Sequence, residues 1–276
     1  MGRVAWVVLV LALLPWQAHA QESALRELAT GDDSKGWEGV GRINLGDKGF
    51  CTGALIAPDL VLTAAHCLFD KETGERVPAA DMEFLAGWRN GRADAYRGVR
   101  RAVEHPDYSY ANRDQIDRVA DDLALLELDR PIRMATSPPF ETESRPATGD
   151  EVGVVSYAQD RAERPSLQEV CHVLGSKAGV LVLSCNVDFG SSGAPVFSLK
   201  DGVRRIVSVV SAKAEVDGEK VALGVDLAGP LATLRTMMAA GDGVFHKPKP
   251  TGTVTGVQSV RGTGAGAGTG AKFLKP

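Results

Sequence analysis

The stretch from residue 50 to residue 67 reads Phe50-Cys51-Thr52-Gly53-Ala54-Leu55-Ile56-Ala57-Pro58-Asp59-Leu60-Val61-Leu62-Thr63-Ala64-Ala65-His66-Cys67. Two runs of strand-forming residues, 50–57 and 60–65, flank the turn pair Pro58-Asp59, and the second run ends on a histidine beside a cysteine. Working outward, runs of the same kind occur at 40–45, 82–88, 98–104 and 123–128, separated by Gly, Pro and Asp clusters, which makes a first all-β unit. Residues 131–150 are rich in Pro, Thr, Ser and Glu and read as a connection. A second set of strands follows at 151–157, 167–174, 179–187, 194–199, 203–213 and 221–227. Helical spacing is confined to 230–240, where Leu231, Leu234, Met237 and Met238 share a face, Pro230 stands at the start and Gly241 just past the end.

Composition agrees with a turn-rich β protein. The 276 residues include 31 Gly and 14 Pro but only 6% aromatics, and 44% are hydrophobic. With 31 Lys+Arg against 35 Asp+Glu, the chain has no basic field of the kind that dominates nucleic-acid affinity, so no nucleic-acid partner is expected. The mean hydropathy is -0.07.

Residues 1–20 carry one positive charge at Arg3, an apolar run from Val4 to Leu14, a break at Pro15, and Ala18 and Ala20 framing a cleavage point. This is the pattern of a secretory signal, and the apolar run is well short of the ~20 residues a spanning helix needs. Secretion or periplasmic export is expected, with no integral membrane span in the mature chain, whose charge becomes 30 minus 35, or -5. Residues 21–36 read as a short propeptide or an N-terminal arm. Residues 242–276 include Arg-Gly-Thr-Gly-Ala-Gly-Ala-Gly-Thr-Gly at 261–270, with almost nothing to bury, and read as a flexible tail.

Export permits disulfides, and the mature chain has four cysteines, Cys51, Cys67, Cys171 and Cys185. Residues 175–179 are turn-like, so a hairpin folded there sets Cys171 nearly opposite Cys185, which leaves Cys51 for Cys67. No Cys-x-x-Cys or His-Glu-x-x-His spacing is present, so neither a metal nor a cofactor is expected.

Three segments supply a base, a carboxylate and a nucleophile, the set that acyl transfer requires. His66 ends an apolar strand. His19 leaves with the signal and His246 lies in the tail, so His105 and His172 are the other candidates for a folded site. Asp121 and Asp122 stand at the mouth of the apolar run 123–128, where a carboxylate can be partly buried and still orient an imidazole. Gly190-Ser191-Ser192-Gly193 places two serines between glycines, where backbone N–H groups can converge on an oxyanion. Each segment alone is more often structural; the conjunction in one exported all-β chain carries the reading.

With these motifs the sequence resembles the trypsin and chymotrypsin family of serine proteases over residues 40–240. Thr63-Ala64-Ala65-His66-Cys67 is similar to its His motif, Asp122-Leu123-Ala124-Leu125 to its Asp motif, and Gly190-Ser191-Ser192-Gly193-Ala194-Pro195 to its Ser motif. His105-Pro106-Asp107-Tyr108 resembles a structural segment of the family, which makes His105 structural. The resemblance implies two six-stranded antiparallel β-barrels and a C-terminal helix. The first barrel, within 37–130, would carry His66 and Asp122; the second, within 131–241, would carry Ser192. Ser192 is then the nucleophile, His66 the base and Asp122 its orienting carboxylate, with the amides of Gly190 and Ser192 as the oxyanion hole. Motif register favours Asp122 over Asp121 and Ser192 over Ser191. The implied activity is that of a serine endopeptidase acting on peptide or protein substrates, expected as a monomer; an esterase, or a silent protease-like binding protein, is the alternative.

Ser191 stands where trypsin-like enzymes usually have an aspartate that pairs with a freshly cut N-terminal ammonium, so control by that ion pair is expected to be absent. In this the chain resembles the bacterial glutamyl endopeptidase-like branch, as it does in its few disulfides. The same register sets the substrate pocket at Asn186 and Val187 for the base and at Ser208, Val209 and Val210 for the wall. The histidine with which glutamyl endopeptidases hold an acidic side chain falls near Val207. Without a buried charge to pair, small or medium uncharged side chains are expected at the cleavage site, unless Asp188 points inward.

Overall fold

A computed structural model describes residues 22–112, 115–134, 137–143, 145–216, 218–242 and 272–273. The expected signal segment, and all of the expected tail but residues 242 and 272–273, lie outside the described residues.

Residues 22–36, which fall in the segment read as a propeptide or an arm, pack on the second half of the chain. A short strand β1 (Arg26–Glu27) pairs with β10 (Ser166–Lys177), and Leu28 is fully buried. Six strands then form a closed antiparallel barrel: β2 (Val40–Leu45), β3 (Phe50–Ala57), β4 (Leu60–Thr63), β5 (Met82–Ala86), β6 (Ala95–Glu104) and β7 (Ala124–Leu128), in the order β2-β3-β4-β7-β6-β5. A short helix α1 (Gln115–Ala120) lies between β6 and β7. The connection that follows carries β8 (Glu141–Thr142), which runs parallel to β13 (Arg205–Val216).

The second barrel is built from β9 (Glu151–Ser156), β10, β11 (Val180–Leu183), β12 (Pro195–Ser198), β13 and β14 (Glu219–Asp226). Its path runs β10-β11-β14-β13-β12-β9 and closes where β9 pairs back onto β10. After it come helix α2 (Ala228–Ala239) and a strand β15 (Lys272–Phe273) on the edge of β13. The fold is thus the expected pair of six-stranded antiparallel barrels with a C-terminal helix.

The apolar runs make strands because both of their faces are covered. In β7, Ala124, Leu125 and Leu126 are consecutive and all fully buried, which a sheet with one wet face would not tolerate. The core of the first barrel, with Ile43, Leu55, Leu62, Phe84 and Leu125, continues through Tyr157, Phe197 and Val209 of the second half into Leu231 and Leu234 of α2. Trp37, Phe140 and Phe197 pack edge-on across this junction, with Trp37 5.0 Å and Phe140 4.9 Å from the Phe197 ring. The two barrels therefore share one continuous apolar seam, which holds their facing edges in register. Phe84→Ala removes the largest fully buried side chain of the first barrel, and is expected to lower unfolding free energy by about 3–5 kcal/mol in chemical denaturation.

Both expected disulfides are present, Cys51–Cys67 and Cys171–Cys185. The first ties β3 to the turn that carries His66; the second ties β10 to the segment leading from β11 to Ser192. Each closes a loop with a sequence separation of 16 or 14 residues, for which chain-entropy arguments give roughly 3 kcal/mol of stabilisation.

Candidate active site

The His66 side chain is positioned from the backbone outward. Beyond β4 the chain makes a single 3-10 turn, Ala65–Leu68, stapled at Cys67. Thr63, fully buried, donates its hydroxyl to Thr52 O at 2.8 Å. The His66 backbone N–H donates to Asp122 Oδ1 at 2.7 Å, while its ring Nδ1 lies 2.6 Å from Asp122 Oδ2. A carboxylate so placed requires the proton on Nδ1 and leaves Nε2 as the basic nitrogen.

Asp122, only 2% exposed, sits in the turn between α1 and β7 and accepts a third, short hydrogen bond from the Ser211 hydroxyl. Its neighbour is engaged elsewhere: Asp121 Oδ1 lies 3.3 Å from Nδ1 of the buried His105, and burial pushes its carboxyl above the usual range. His172 lies on β10, where its backbone N–H donates to the Ser184 hydroxyl. Of the three histidines, His66 is the one in a cleft with a serine. That cleft, about 180 Å³, is lined by His66, Asp122, Ser192, Val187, Val210 and Lys213 among others. A larger hollow of about 500 Å³ beside Trp37 and Arg204 contains none of His66, Asp122 or Ser192.

The two adjacent serines face different surroundings. Ser191 is fully buried, with its hydroxyl in contact with Ser156 Oγ at 3.1 Å, Tyr157 O at 3.2 Å and the Asp188 N–H at 3.3 Å. Ser192 is half-buried and lines the cleft. Its bend is held on both sides: Thr52 N donates to Ser192 O at 2.8 Å, the Thr52 hydroxyl to Gly190 O at 2.9 Å, and Gly193 N to Val210 O at 2.8 Å. Gly193 has φ +77°, and a Cβ there would run into Thr63 Oγ1 and Thr52 O, so only glycine fits. Among the described residues, neither Gly190 N nor Ser192 N has a hydrogen-bond acceptor. Two amides left unpaired on either side of Ser191 are available to an incoming oxyanion.

The cleft brings together two of the five residues read as the substrate pocket. Val187 and Val210 line the cleft, but Asn186 is exposed with its N–H on Gln168 Oε1, the Ser208 hydroxyl donates to Val225 O at 2.8 Å inside the barrel, and Val209 is buried in the core. Ser211, Ala212 and Lys213 line the cleft next to Val210. β13 is irregular at this point, its pairing with β14 stepping from Val210–Gly224 to Ala212–Leu223. Ser211 is the extra residue, set out of the strand alternation toward Asp122. Asp188 and Lys213 pair across the cleft at 2.7 Å, with the ammonium 3.5 Å from the centre of the Phe189 ring; Lys213 holds the Asp188 carboxyl below the usual range. Cys51, His66 and Cys67 lie close together, but both sulfurs are in the disulfide and offer no thiolate to a metal.

Residues 51–204, more than half of the chain, match the model of the trypsin-like peptidase domain. The chain belongs to this family. Among curated proteins, 89 residues are 35% identical to Modular serine protease of Drosophila melanogaster, over 31% of this chain and 14% of that protein. A 106-residue stretch is 31% identical to Trypsin epsilon of Drosophila erecta, over 36% of this chain and 38% of that protein. The matched stretches thus span well under half the length of these relatives. Among solved structures, a Glu endopeptidase in complex with MPD superposes with a TM-score of 0.64 at 16% identity, covering 80% of this chain and 98% of that one. A scabies mite inactivated protease paralogue, S-D1, gives a TM-score of 0.60 at 13% identity, covering 79% and 96%. At these identities the likeness is one of fold, and this trypsin-like chain's own residues must carry any argument about activity.

Proposed function

We propose that this trypsin-like chain is an exported serine endopeptidase that cleaves peptide bonds through Ser192, His66 and Asp122. The observation that carries the reading is the two-point contact of His66 with Asp122 in the cleft that also presents Ser192. Ser192 Oγ attacks the scissile carbonyl carbon as His66 Nε2 takes its proton. The amides of Gly190 and Ser192 stabilise the oxyanion, each worth roughly 3–4 kcal/mol in comparable sites. The C–N bond then breaks and His66 returns the proton to the leaving amine. Water, deprotonated by His66, hydrolyses the acyl-enzyme ester and restores Ser192. Asp122 orients the His66 ring and stabilises the imidazolium. The signal pattern at residues 1–20 and two disulfides support export into an oxidising compartment.

The Lys213–Asp188 pair across a small cleft supports small or medium uncharged side chains at the cleavage site. In Lys213→Ala the bar across the cleft is gone, and the ratio of cleavage after large to cleavage after small side chains is expected to rise about tenfold or more. A peptide-library digest with a matched ester panel tests the whole reading. Cleavage at defined peptide bonds is expected; ester turnover alone would make the protein an esterase, and no turnover of either would make it a silent binding protein.

A further inference from the structure

We infer that Arg161 is a positioning residue for the oxyanion hole, acting through the buried Ser191 hydroxyl; this rests on the peptidase reading above. Ser191 is neutral and cannot pair with an ammonium. Its buried hydroxyl is instead reached by a guanidinium: Arg161 Nη2 lies 3.1 Å from Ser156 Oγ and 3.4 Å from Ser191 Oγ. The Ser191 hydroxyl has one proton, directed to Ser156 Oγ or Tyr157 O, and its lone pairs accept the Asp188 N–H and the Arg161 N–H. One side chain thereby ties Ser191, next to Ser192 in the 188–192 bend, to Ser156 beneath it.

Its placement is costly, and the surface ion pair does not explain it. The Arg161 side chain is only 11% exposed, and its Nε is buried with no acceptor among the described residues. Its carboxylate partner, Asp160 at 3.1 Å, is 72% exposed, and so wet a pair contributes little. A guanidinium needing only Asp160 would lie on the surface with it. Burial against Ser156 and Ser191 has a consequence the ion pair lacks. The same 3-10 turn, Gln159–Arg161, also donates Gln159 N to Phe189 O at 2.7 Å, so it grips the bend by backbone and side chain together. Phe189, Ser191 and the outer anchors at Thr52 are thus all fixed, and Gly190 N and Ser192 N are held unpaired between them.

The test is Arg161→Gln and Arg161→Lys in the full exported chain. Each is assayed for peptide turnover, for inhibition by a peptide aldehyde that places an oxyanion in the hole, and for inhibition by the non-covalent product peptide. Arg161→Gln is expected to lower kcat about 10- to 100-fold and to weaken the aldehyde by a similar factor, with KM, product-peptide inhibition and Tm nearly unchanged. Arg161→Lys should recover part of both losses. A merely structural role would lower Tm and weaken aldehyde and product peptide alike. If Arg161→Gln fails to fold, Ser191→Ala, which removes the acceptor and leaves the cation, must show the same selective loss of aldehyde affinity. Wild-type kcat and aldehyde affinity in a folded Arg161→Gln, or in Ser191→Ala, overturn the inference. An inactive wild-type protein would instead overturn the peptidase reading.

Discussion

Replacing Ser192 with alanine is expected to lower kcat on a cleaved peptide by about a hundred-thousandfold to a millionfold, with the folded protein intact. The expected loss is large because the acyl-enzyme route needs an oxygen nucleophile at this one position. Ser191, one residue away, cannot substitute: its hydroxyl is held in the floor of the bend by Ser156, Tyr157, Asp188 and Arg161. What activity remains would come from binding and from the unpaired amides acting on water. Stability should hardly change, since Ser192 fixes the bend through its backbone carbonyl on Thr52 N and not through its hydroxyl. Measured kcat and a thermal melt, taken together, check both halves. Activity retained in Ser192→Ala would remove the nucleophile assignment.

Asp122→Asn is expected to lower kcat by about ten-thousandfold while binding of substrate is little affected. Asp122 accepts from three donors: the His66 N–H, the His66 ring and the Ser211 hydroxyl. An asparagine has one acceptor oxygen and must turn its NH2 toward some of those donors. The arrangement that satisfies most of them lets the NH2 donate to His66 Nδ1. That puts the ring proton on Nε2, where it can no longer take a proton from Ser192. The loss should appear in kcat rather than KM. By contrast, Asp121→Asn touches only the contact with His105 and should leave kcat within a few fold, so a large loss there would mean that the carboxylates had been assigned in the wrong order.

Much of this was legible in the residues, for local reasons. The strands at 40–45 and 50–57 have the same bounds in the structure, because Gly, Asp and Pro clusters end them whatever the tertiary context. The expected strand at 82–88 stops at Ala86, because Gly87 turns away at φ +58°. The helix expected at 230–240 begins two residues before its proline, at Ala228, and buries Leu231 and Leu234 as its spacing requires. The two-residue strands β1 and β8 left no periodic trace, since nothing but their pairing partners makes them strands.

The site divides in the same way. His66, Asp122 and Ser192 stand in dense motifs, and both disulfides followed from the hairpin and from parity. Ser211 escapes the motif reading, because its partner Asp122 is 89 residues away in the chain and nothing in the run Ser208-Val209-Val210-Ser211 tells its two serines apart. Arg161 and the Lys213–Asp188 pair were invisible for the same reason. Their partners are 30 and 25 residues away in the chain, and only the closed barrel brings them together.

The most direct test of the proposed catalysis is covalent labelling of the active wild-type protein with a fluorophosphonate, followed by peptide mapping in a mass spectrometer. A single phosphonyl adduct on Ser192 is predicted, lost in His66→Ala. No adduct under conditions that fully label a control serine peptidase, or an adduct on Ser191, would contradict it.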